Sequence, residues 1–192
     1  NEWRIVQEED KLTNEVKVKA YNQYPIDGGR IEVIANCVNN KDNDIMGDHI
    51  DFDFNMLSND KGAPKTFSNS LSVLGLFGTF SSSSLLNASG SPANPVEFDY
   101  RLDNEKARKW YSNSEYNNVA KLNFFEKSHI STLPAYGVLI PANSESLEDL
   151  LLSKILRVRL PVKGENPADI EIQLSDLHVF FADCSASNKK LE

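Results

Sequence analysis

Between Leu156 and Cys184 the chain reads LRVRLPVKGENPADIEIQLSDLHVFFADC, and no other stretch limits the possible folds as much. In Leu156-Arg157-Val158-Arg159-Leu160, and again in Ile170-Glu171-Ile172-Gln173-Leu174, apolar and polar residues alternate with period two. Each segment therefore has one apolar and one polar face, as a half-buried strand does. Gly164-Glu165-Asn166-Pro167 separates them, so a hairpin is expected. Ser175 then offers an N-cap, and Leu177, Phe180, Phe181 and Cys184 recur at i, i+3, i+4 and i+7. This spacing puts three large apolar groups and a thiol on one helix face, which has to be buried.

The same alternation organises the first quarter of the chain. Trp3 to Thr13 suits an opening strand that ends in a turn. Val16, Val18 and Ala20, then Ile31, Val33, Ala35 and Cys37, form two apolar faces around the Pro25 to Gly29 turn. Ile50, Phe52 and Phe54 oppose His49, Asp51 and Asp53 on a further strand, which completes an antiparallel meander. From 58 to 95 the composition shifts to Ser, Gly, Asn, Ala and Pro, the mark of an insertion. Its centre, Leu71, Val73, Leu74, Leu76, Phe77 and Phe80, is too apolar for a free linker; core cover or a partner surface is expected there.

Alternation resumes at Val96 to Asp103, followed by Asn104 to Trp110 and a strand near Val119 to Phe125. Asn143 or Ser144 can cap a helix whose buried stripe is Leu147, Leu150 and Leu151. Together these segments predict a mainly β chain: an antiparallel β-sandwich-like single domain over 1–190 with two or three short helices. Leu191-Glu192 is expected to be a cloning scar.

Composition narrows the partners. With 28 acidic and 20 basic side chains the formal charge is −8, which disfavours nucleic acid and anionic membrane surfaces, since both are bound mainly through Lys and Arg. No apolar run approaches the roughly 20 residues of a membrane helix. The start at Asn1 fits either removal of a signal peptide or a trimmed chain. Two cysteines, Cys37 and Cys184, leave one possible disulfide, with two inert buried thiols as the alternative. Closing so long a loop is worth roughly 5 kcal/mol in the chain-entropy model.

No motif for a reaction or a cofactor emerges. Asp42, Asp44 and Asp48 surround Gly47 in a weak calcium-loop pattern, but Met46 and Asp53 fit the fifth and twelfth positions badly, and a solvated turn is favoured. His49, His129 and His178 have no zinc-ligand spacing, and no serine stands in a nucleophile elbow. Arg101 and Asp103, on alternate positions of one strand, share a face, where Arg101 can bind a carboxylate or sugar or pair with a neighbouring acid. Trp110 is more often a core aromatic than a sugar platform.

The distributed elements Trp3, Asp10 to Thr13, Ile31 to Cys37, Val96 to Asp103, Trp110, Leu150 to Leu160, Ile170 to Leu177 and Cys184 resemble a group of small exported bacterial proteins. The group includes the VasI-like accessory proteins of type VI secretion loci. The resemblance implies export to the periplasm or beyond, a Cys37–Cys184 disulfide and a β-sandwich-like fold. It also implies a non-enzymatic binding or accessory role with an envelope protein as partner. Contacts are expected from loops and from the insertion, through Leu76, Phe77 and Phe80. The alternative is an envelope glycan-binding protein or hydrolase with a groove around Arg101, Asp103 and Trp110.

Overall fold

The structure, a computed structural model, describes residues 2–14, 16–38, 49–60, 62, 64–69, 94–125, 132–135, 138–141 and 147–189. Its first sheet opens with the meander expected from the alternation: β1 (Arg4–Glu9), β2 (Val16–Ile26), β3 (Gly29–Val38) and β4 (His49–Ser58), each antiparallel to the next. Asp27 and Gly28 make the β2–β3 turn, with Gly28 at a φ of 70°, where a Cβ would be strained. Gly29 is needed for a different reason. A Cβ there would stand 2.2 Å from the Leu57 carbonyl oxygen, so the β3–β4 pairing admits only hydrogen at this position.

The chain then builds a second sheet from β5 (Asn94–Leu102) and β6 (Arg108–Ser114), and returns to the first with β7 (Val119–Phe125), which pairs with β4. A separate two-stranded ladder, β8 (Thr132–Ala135) with β9 (Val138–Pro141), has no counterpart among the sequence expectations. After α1 (Leu147–Leu152), β10 (Ile155–Leu160) and β11 (Ala168–Gln173) form the expected hairpin, and β10 joins β5. The strand orders are β1-β2-β3-β4-β7 and β11-β10-β5-β6. A 3₁₀ turn, Leu174–Leu177, leads into α2 (His178–Lys189).

The two sheets form a β-sandwich-like pair sharing one core. Val33, Phe52, Phe54, Leu122 and Phe124 from the first meet Phe98, Tyr100, Leu156, Val158 and Ile172 from the second, all buried. Edge-to-face contacts cross between the sheets, Phe54 to Phe98 at 6.3 Å and Tyr100 to Phe124 at 6.4 Å. The α2 helix packs on β2 and inserts Phe180 and Cys184, so it closes the core on the β2 side. Phe67, within the stretch read as an insertion, is also a core residue: it bridges to Val162 and is 2% exposed.

Two local expectations need correction. Leu151 is 49% exposed rather than part of the buried stripe; α1 has only six residues, and Leu150 alone fills the core while Leu147 is half-buried. Ser175 is not a helix cap, because it lies inside the 3₁₀ turn and the α-helix begins three residues later. Phe181 is half-buried beside its fully buried neighbour Phe180, with the ring centres 5.6 Å apart.

Candidate functional site

Two places combine side chains of chemical interest. The first joins two segments far apart in sequence. Cys37 lies near the end of β3 with a half-buried side chain, and Cys184 lies two turns into α2, 5% exposed. The fold brings them together because α2 packs on β2, the strand beside β3. Their side chains are in hydrogen-bond contact with each other. That hydrogen bond, and then burial, push the Cys184 thiol above its usual range. Farther along β2, burial and the nearby Asp176 carboxylate raise the Tyr24 hydroxyl to about 12.

The second place is the outer face of the second sheet, where strand register sets side chains in rows. One row runs Lys109, Asp99, Arg159, Asp169 across all four strands, with signs alternating throughout. Arg159 grips Asp169 with two hydrogen bonds, 2.7 and 3.0 Å, and this bond chiefly holds the Asp169 carboxyl below its usual range. Lys109 is held above its ordinary value, first by its hydrogen bond with Glu97, 3.0 Å away, and then by Asp99 at 3.7 Å. The next row is different: Arg101 stands directly across from Arg157, with Glu171 beyond. Arg157 is occupied, its Nε bound to Glu171 at 2.9 Å and its Nη1 donating to the Asp103 carbonyl oxygen at 2.9 Å. Arg101 is exposed and has no ion pair among the described residues.

Asp103 does not join Arg101 on this face. The strand ends at Leu102, and Asp103 adopts a left-handed φ of 49°, so that its Oδ1 accepts the backbone N–H groups of Lys154 and Ile155, each at 2.9 Å. Its own N–H donates to the Ile155 carbonyl at 2.8 Å. Asp103 thus fastens the start of β10 to the end of β5. Trp110 points the other way, into the core, 7% exposed and edge-to-face with Tyr100 at 6.2 Å. The expected groove of Arg101, Asp103 and Trp110 is therefore not assembled: one residue faces outward, one clasps backbone and one fills the core.

Asp42, Asp44 and Asp48 lie outside the described residues, as do Leu76, Phe77, Phe80 and His129. Among the described residues no group of three or more His, Cys, Asp or Glu side chains is arranged to hold a metal ion, and no helix is long and apolar enough to cross a membrane. On the outer face of the first sheet His49 and Asp51 pair at 3.4 Å. Burial is the main cause that raises the Asp53 carboxyl above its ordinary value, although Asn36 donates to it at 3.2 Å. Alternation singles out Arg101 as an outward-facing binding candidate, but shows only which face a residue takes and not that Arg157 stands beside it. Compared with protein-family models, curated proteins and solved structures, the chain matches none.

Proposed function

We propose that the protein is an exported, non-enzymatic binding or accessory protein of the bacterial envelope, closed by a Cys37–Cys184 disulfide and linked to a secretion apparatus as the VasI-like proteins are. The observation that carries this reading is the contact between two thiols 147 positions apart, the only two cysteines of the chain. A disulfide forms when the pair gives up two electrons and two protons to a disulfide oxidant, and such bonds persist in secreted and periplasmic proteins. The distributed sequence resemblance supports the same compartment.

Fractionation of source cells, combined with crosslinking in place, tests the reading. The protein is expected in the envelope fractions, crosslinked to a particular envelope protein. Recovery from the cytoplasm with the thiols reduced would overturn it.

A further inference from the structure

The two rows on the outer face of the second sheet differ by one charge. Lys109, Asp99, Arg159 and Asp169 complete an alternating set, whereas Arg101, Arg157 and Glu171 are one carboxylate short. The β5–β6 pairing ends at Tyr100 and Arg108, so no paired residue of β6 faces Arg101, and the uncharged Ala107 helps to line a groove of about 470 Å³ with it. Like charges directly opposite on paired strands are unfavourable. Arg157 relieves its own side through Glu171 and the Asp103 carbonyl, and Arg101 has no such relief among the described residues.

We propose that this groove docks a short peptide segment in which a single carboxylate sits between cationic side chains, with the carboxylate seated on Arg101 beside Arg157. A guanidinium binds a carboxylate through two parallel N–H donors, a geometry that a point charge cannot match. The fixed carboxylates Asp99, Asp169 and Glu171 line the same groove. Each is paired with a cation, Lys109, Arg159 or Arg157, but stays about half-exposed, so it can still accept from the cations flanking a lone acid, and the net charge of −8 adds to the exclusion of polyanions. The occupant is therefore a peptide of mixed charge rather than nucleic acid or polyphosphate.

This inference deepens the reading of the protein as a binding protein, but it is tested independently of export. The full chain, isotope-labelled for NMR, is titrated with acetyl-Lys-Glu-Lys-amide, with the Gln analogue of that peptide and with hexaglutamate. Saturable shifts are expected at the Arg101 side chain and at the amides of 99–101 and 157–159. Affinity is expected to fall about tenfold or more for the Gln analogue and for Arg101→Gln. Arg101 is exposed, so the Arg101→Gln spectrum should otherwise be unchanged. Absence of shifts, equal shifts from the two tripeptides, persistence in Arg101→Gln, or equal or tighter binding of hexaglutamate would each overturn the proposal. None of these outcomes bears on where the protein is found in the cell.

Discussion

Replacing Asp103 separates a structural clasp from a ligand-binding acid. Its Oδ1 accepts two backbone N–H groups at 2.9 Å, one exposed and one part-buried, and its backbone sits at a φ of 49°. A hydrogen bond to a charged group contributes about 1.5–3 kcal/mol, and partial exposure puts each of these at or below the low end, so the pair is worth about 2 kcal/mol. A left-handed backbone costs a residue with a Cβ about 1 kcal/mol, less for Asp or Asn, whose side chains bond locally. Asp103→Ala is therefore expected to lose about 3 kcal/mol, Asp103→Gly about 2, and Asp103→Asn about 1, because its amide oxygen can still accept. Urea unfolding followed by fluorescence measures these losses as a lower midpoint with an unchanged slope. A loss below about 0.5 kcal/mol in Asp103→Ala, or Asn as damaging as Ala, would refute the clasp.

Other expectations follow from the same contacts. Gly29→Ala forces its Cβ against the Leu57 carbonyl and should destabilise by about 1–3 kcal/mol or more. Gly164→Ala, with open space but a φ of 75°, should cost only about 1 kcal/mol, and thermal melts of the two variants will rank them. Asp53 is held above the ordinary carboxylate value of 3.8 chiefly by burial, so its ionised form disfavours the fold. Asp53→Asn should raise the melting temperature at neutral pH, and the gain should shrink as pH falls toward 3.8 and vanish below it. A gain that instead grows on acidification would contradict this sign.

Much of the architecture was legible because its strands are half-buried and alternate cleanly. Ile50, Phe52 and Phe54 in β4 and the β10–β11 hairpin needed no tertiary information. The β6 strand resisted the same reading because its inward positions after Trp110 are Ser112 and Ser114, polar residues that are buried yet hydrogen-bonded. Ser112 accepts the Lys121 N–H at 2.8 Å and Ser114 the Tyr116 N–H at 3.2 Å, contacts made only once the chain turns from one sheet to the other. In β8 and β9, four residues each and both containing proline, there is too little length for a period. The misplaced Leu151 has the same origin, since less than two turns of helix cannot define a stripe.

The site was legible only in part. That Cys37 and Cys184 are the one possible pair is a matter of counting, whereas their contact depends on α2 folding back over β2. Arg101 is a binding candidate from sequence alone, but that it faces Arg157, with no ion pair among the described residues, follows from register across three strands. Asp103 was placed beside it by strand periodicity, which fails at the first left-handed residue.

The most direct test of an exported, disulfide-closed sandwich is a thiol count on the protein recovered from its own cells, alkylated while denatured and unreduced, then repeated after reduction. No thiols rising to two is the result that joins Cys37 to Cys184; two thiols before reduction would contradict the bond and the oxidising compartment with it.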